Sequence, residues 1–164
     1  MVKKDFYWGA STSAFQVEGG FGEGGKGVAT TDVRHVPEGI ADSKIASDHY
    51  HHLSEDIELM ADLGIDLYRF SFNWTRVMGD GDQPNQEGID FYNRLIDGCL
   101  EKGITPFPTL YHFERDKRNT FQIYRDKEKT NSEDRRKHVS YGKNWSAFFR
   151  DWTIRFCKGI DGFY

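Results

Sequence analysis

The chain has 164 residues, 37% of them apolar and 29% charged, and a formal net charge of −4. That is enough chain for one domain with a core, and the balance reads as soluble and globular rather than disordered or fibrous. Apolar runs stay short of the roughly 20 residues that span a membrane, so no membrane partner is expected. Only five residues precede the first strand-like stretch, which leaves no room for a signal peptide. The two cysteines, Cys99 and Cys157, form neither a disulfide framework nor a metal-ligand spacing. They read as small core residues on helices, and the expected compartment is a reducing cytoplasm. Charge is unevenly spread. Residues 1–114 hold nine Lys and Arg against 19 Asp and Glu, a net of −10; residues 115–164 hold 13 against seven, a net of +6. All four prolines lie before residue 109.

The first segment, Phe6 to Gly20, opens on three aromatics, a strand signal, and continues through small residues from Gly9 to Ala14. Small side chains let other groups approach the backbone, as at the mouth of a pocket. Gln16 and Glu18 stand two apart and would share one side of an extended chain. A side-chain amide offers donors and an acceptor together, which suits a pair of neighbouring sugar hydroxyls. A glutamine beside glycines also fits a plain loop. Gly19 to Gly27 is a glycine-rich loop whose spacing is not that of a phosphate-binding loop, and no Ser/Thr-led helix follows Lys26. Residues 28–46 have no periodicity and read as loop.

Ser47 to Leu63 has helical spacing, with Ser47 as N-cap, Tyr50, Leu53, Ile57 and Met60 as its apolar stripe, and Gly64 as its stop. His49, His51 and His52 on this stretch lack the i,i+4 pairing that zinc favours on helices, so they read as structural or surface residues and no metal is expected. Ile65 to Phe72 is strand-like, with Arg69 among aromatics. Such an arginine either faces solvent at an edge or points into a polar site. Asn85 caps a second helix that runs to about Lys102, with Ile89, Tyr92, Ile96 and Cys99 along its stripe, Leu95 and Leu100 beside it, and Gly103 as its stop. Ile104 to Tyr111 is a third strand. Pro106 and Pro108 fit it only where the amide on that side is unpaired, or at a bulge.

Gly64-Ile65 recurs as Gly103-Ile104, 39 residues on, each pair leading into a strand. Strand, helix, Gly-Ile, strand is the repeat of a parallel α/β sheet, either a (β/α)8 barrel or a doubly wound sheet. A dinucleotide sheet would carry phosphate-binding glycines after its first strand, and these are missing, so the barrel is preferred. Its chemistry would then lie at the carboxyl ends of the strands, where Gln16, Asn73-Trp74 and His112-Phe113-Glu114 fall.

The opening segment resembles the N-terminal signature of glycoside hydrolase family 1, the β-glucosidase and 6-phospho-β-glycosidase family. Phe6, Trp8, Gly9, Ser11, Ser13, Ala14, Phe15, Gln16, Glu18 and Gly20 carry the match. It continues through Gly25-Lys26-Gly27 and Asp32, through Tyr68-Arg69-Phe70-Ser71 with Trp74 and Arg76, and through Thr109-Leu110-Tyr111-His112. The resemblance implies a retaining β-glycosidase on a (β/α)8 TIM barrel, of which this chain holds about the first three βα units, with no cofactor. It implies that Gln16 and His112 bind sugar hydroxyls, with Phe113 beside them. It implies that Arg69 supports the catalytic nucleophile and keeps it ionised, and that Glu18 is structural. Phe113-Glu114 and Asp32-Val33 resemble the 6-phospho-β-glucosidase branch, which makes a phosphorylated β-glucoside the expected substrate; an unphosphorylated β-glucoside is the alternative.

In the family the acid/base Glu lies in an Asn-Glu-Pro motif and the nucleophile in a Thr-Glu-Asn-Gly type motif, with the two carboxyls about 5–5.5 Å apart. Neither motif occurs in this sequence, so no catalytic residue is assigned and the chain alone is expected to be inactive. Residues 1–114 read as the N-terminal part of the barrel. Residues 115–140 are charged and atypical, fitting either an insertion or a misread frame, and carry no nucleic-acid motif. Residues 141–164 hold a candidate third barrel helix, with Trp145, Phe148, Phe149, Trp152 and Phe156 on one stripe. Since a full barrel needs roughly 200 residues or more, a complementing chain or aggregation through an open barrel edge is expected. A non-catalytic sugar-binding or assembly half, or an inactive remnant, is the alternative of another class.

Overall fold

The computed structural model describes residues 6–80, 84–110 and 112. All of these fall in the first of the chain's two units, Met1–Thr120. In chain order the elements are β1 (Gly9–Ser11), α1 (Ala14–Val17), α2 (Leu53–Asp62), β2 (Leu67–Ser71), α3 (Trp74–Met78), α4 (Gln86–Glu101) and β3 (Thr105–Thr109). The strands form one parallel sheet in the order β1-β2-β3. Gly9 sits beside Leu67, and Leu67 beside Thr105. Parallel strands that neighbour one another in sequence order, with helices between them, are how successive units of a (β/α)8 barrel are laid down. The described piece is therefore α/β and consistent with a partial barrel.

β2 alternates as its pleat requires. Tyr68 and Phe70 are buried, while Leu67 and Arg69 are half-buried on the opposite face. A chain of rings joins the sheet to α4: Tyr68 to Phe70 at 5.5 Å between centroids, Phe70 to Phe72 at 5.9 Å, and Phe72 to Tyr92 at 4.7 Å. Helix α4 buries Phe91, Tyr92, Leu95, Ile96 and Cys99. Its stripe is thus centred one residue away from the predicted one: Phe91 takes the inner place, Ile89 is half-buried and Leu100 is exposed. The predicted stops hold. Gly64 and Gly103 follow α2 and α4 with φ of 70° and 73°, the left-handed conformation that glycine adopts at a helix end without steric cost.

The prolines of β3 also fit their strand. The amide of Thr105 points to β2 and donates to Asp66 O at 2.8 Å. By alternation, the missing amides of Pro106 and Pro108 face away from β2, so no ladder bond to it is lost.

Three expectations are corrected. The opening aromatics are not strand: β1 is confined to Gly9–Ser11, and Phe6, Tyr7 and Trp8 are exposed. Gln16 and Glu18 do not share a side. The chain turns helical at Ala14, and two residues apart on a helix is over half a turn, so Gln16 is exposed while Glu18 is buried. The helix predicted from Ser47 begins only at Leu53. The amides of His49 and Tyr50 are taken by Val17 O and Glu18 O, and Ala46 and Asp48 have φ of 53° and 56°. Those bonds hold residues 46–52 as turns against the first loop, out of reach of a helical ladder. The expectations for residues 115–140 and 141–164, and for Cys157, lie outside the described residues.

Candidate functional site

The carboxyl ends of the three strands are tied together by short bonds. Thr12 N donates to Arg69 O at 2.9 Å, and Phe72 N donates to Thr109 O at 3.1 Å. Ala14 N donates to Ser71 Oγ at 2.9 Å, and the hydroxyls of Thr12 and Tyr68 lie 2.7 Å apart. Ser13 Oγ lies 2.8 Å from His112 Nδ1. This last contact brings the residue after β3 against the turn after β1, across 99 positions of sequence.

Gln16 lies on α1, exposed, its backbone amide donating to Ser13 O at 2.9 Å. His112 is half-buried at the end of β3. Arg69 is half-buried on the sheet face opposite Tyr68 and Phe70. Its Nε donates to Thr109 Oγ1 at 3.0 Å, and no carboxylate lies within ion-pair distance of it among the described residues. Phe113 and Glu114 lie outside the described residues. Asn73 is buried and caps the short helix α3, which the sequence did not predict: its Oδ1 accepts from Arg76 N at 3.1 Å and from Thr75 Oγ1 at 2.8 Å.

Behind this end sits a buried charged cluster that sequence reasoning missed. Arg76 is fully buried. Its Nε donates to Glu18 Oε2 at 3.1 Å, and its other nitrogens donate to Gly19 O at 3.0 Å and Glu23 O at 3.4 Å. The guanidinium lies over the Tyr50 ring at 4.1 Å from its centroid. The second oxygen of Glu18 accepts from the Tyr92 hydroxyl, which itself accepts from Asn73 N at 2.5 Å. Burial and the neighbouring Glu18 charge hold the Tyr92 phenol well above its ordinary range. One arginine thus fastens the glycine-rich loop to α3 and α4. An isolated Glu18 followed 58 positions later by an Arg gave no local signal, because the pair meets only in the fold. A second buried pair, Lys26 Nζ to Asp32 Oδ2 at 2.6 Å, closes the same loop.

His49 is buried, with Nδ1 2.5 Å from Asp56 Oδ2 and its ring edge-on to Phe91. His51 and His52 are exposed; His51 bridges Asp48 and Glu23. Among the described residues, no three His, Cys, Asp or Glu side chains are grouped to hold a metal. Nor is any described helix long and apolar enough to cross a membrane.

The profile of glycosyl hydrolase family 1 matches residues 1–120. The coniferin β-glucosidase of Pinus contorta is 50% identical over 115 residues, covering 67% of this chain and 22% of the relative. β-Glucosidase A of Acetivibrio thermocellus is 47% identical over 116 residues, covering 68% of this chain and 26% of the relative. Among solved structures, the psychrophilic β-glucosidase BglU of Micrococcus antarcticus superposes with a TM-score of 0.67 at 41% identity, over 74% of this chain and 27% of that one. The chain spans about a quarter of the length of these curated relatives.

Proposed function

Since the chain belongs to glycosyl hydrolase family 1, we propose that it forms the first part of the sugar-binding half of a retaining β-glucosidase acting on unphosphorylated β-glucosides. The observation that carries this reading is the likeness of residues 1–120 to the family, at 47–50% identity to proteins named β-glucosidases. Gln16 and His112 serve as hydroxyl-binding groups for the sugar ring. Their setting at the carboxyl end of a parallel sheet is where barrel enzymes carry their chemistry. Arg69 lies beside the reacting centre, held by Thr109, and its cation keeps a nucleophilic carboxylate ionised. The acid/base and nucleophile come from outside this sequence, which has neither glutamate motif. The chain alone binds sugar without turning it over.

The phosphorylated substrate suggested by Phe113-Glu114 and Asp32-Val33 is the second reading. It rests on two short matches, against the unphosphorylated activity named for the relatives. Assaying the protein from its source cells on an aryl β-glucoside and on the same glucoside 6-phosphate separates the two. Faster cleavage of the plain glucoside is expected, with the 19.0 kDa chain by itself inert on both. Cleavage confined to the 6-phosphate would transfer the assignment to the phospho-glycosidase branch. Turnover by the short chain alone would place catalysis within it.

A further inference from the structure

We infer that Thr109 is a positioning residue: its hydroxyl takes Nε of Arg69 and sets that guanidinium, at the carboxyl end of the sheet, to meet a carboxylate. The inference deepens the proposal above and rests on it for the carboxylate; the bond itself rests on geometry.

Arg69 Nε lies 3.0 Å from Thr109 Oγ1. An arginine N–H only donates, so the hydroxyl oxygen is the acceptor and no choice of tautomer enters. The bond is diagonal. In the β2–β3 register Arg69 stands beside Phe107, and Thr109 stands beside Ser71. Nε therefore reaches a hydroxyl two residues, about 6.6 Å, further along the parallel strands. The side chain leans toward the carboxyl end of the sheet, where β1 gives way to α1 and His112 follows β3.

Thr109 is itself held. It is the last residue of β3, its carbonyl accepts Phe72 N at 3.1 Å, and a β-branched side chain on a strand has few χ1 choices. With Nε taken, the two Nη nitrogens of Arg69 are the fork that remains, and they make no bond among the described residues. That pair is the edge on which a carboxylate is received by two parallel bonds. Without the hydroxyl the charge would stay, but the fork would lose its direction.

The test follows the Nε–H of Arg69 in a nitrogen-15 arginine-labelled sample of the chain, assigned with Arg69→Lys. Its exchange with water is compared with that of the exposed Arg34 and Arg94. Slower exchange at Arg69 is expected in wild type and in Thr109→Ser, which keeps the hydroxyl, and about fivefold faster exchange in Thr109→Val. The second readout is the pH profile of aryl β-glucoside cleavage by the active protein of the source cells, with Thr109 substituted in its gene. A cation beside a carboxylate keeps its pKa down, so a misdirected guanidinium lets it rise. Thr109→Val should move the acid limb of kcat/KM up by about half a pH unit or more, with Thr109→Ser on the wild-type curve. Wild-type exchange at Arg69 as fast as at Arg34 and Arg94 overturns the inference, as does a Thr109→Val chain with unchanged exchange. The wild-type spectrum needs no variant, so the test survives a Thr109→Val chain that does not fold. Altered exchange with an unmoved acid limb also overturns it, since Thr109 would then order the sheet alone. A source protein that cleaves no β-glucoside sinks the β-glucosidase reading, and the bond between Thr109 and Arg69 is then judged by exchange alone.

Discussion

Arg76 is fully buried, and its charge is met by Glu18, three loop carbonyls and the face of Tyr50. Removing one partner of a buried pair strands the other, which costs more than the pair contributes. Glu18→Ala or Arg76→Ala should each destabilise the fold by about 3–5 kcal/mol, read as a lower urea midpoint. Tyr92→Phe leaves both Glu18 and Asn73 N a bond short and should cost about 1–3 kcal/mol on the same measurement. Equal stability in all three variants would mean that the cluster is solvated. Titration gives a second prediction at this scale. Burial pushes the Cys99 thiol from 9.0 up to about 12 and the Tyr68 phenol from 10.0 up to about 12. These groups are acids favoured as neutral in the fold. Their stabilisation is complete below the unfolded values and is lost as pH rises from 9 through about 12. Circular dichroism should therefore show unfolding over that range, and Tyr68→Phe should make the loss shallower.

Among the elements, α4 shows how closely helices must approach to set the carboxyl end of the sheet. A Cβ at Gly88 would stand 2.1 Å from Arg76 O, a backbone atom that cannot yield. At Gly103 a Cβ would meet nothing within 4 Å, and only the φ of 73° opposes it. Gly88→Ala should therefore cost about 3 kcal/mol by pushing α4 off α3, against about 1 kcal/mol for Gly103→Ala. Thermal midpoints of the two variants check the order, and the reverse order would show that α4 can shift freely. The elements are also where sequence reading was most uneven. Helix α4 with Asn85 before it, the glycine stops, and strands β2 and β3 were legible, because each repeats a local pattern many times. Helices α1 and α3 were not. They are four and five residues long, too short for a periodicity to register, and each has an amide of its first turn taken by a side chain, Ala14 N by Ser71 Oγ and Arg76 N by Asn73 Oδ1.

As a whole molecule, the described piece has a sheet whose outer strands β1 and β3 each pair on one side only. Phe107 on β3 is half exposed, and Trp8 and Leu110 lie open near the sheet. Unpaired strand edges beside bare apolar side chains favour association. Light scattering on the purified chain should give a mass above 19.0 kDa that rises with concentration, and Phe107→Lys should lower it. A monomer at every concentration would show that these edges are covered within the chain itself. The family and the parallel βα order were legible in the sequence alone, because glycine stops, helix stripes and the Gln16, Arg69 and His112 segments are all local and each leaves its mark in consecutive residues. The tertiary structure alone decided which groups meet: Ser13 with His112, Glu18 with Arg76 and Tyr92, and the turn that turns Gln16 away from Glu18. These contacts join positions 58 to 99 residues apart, and no local propensity encodes a distance that only packing brings to 3 Å.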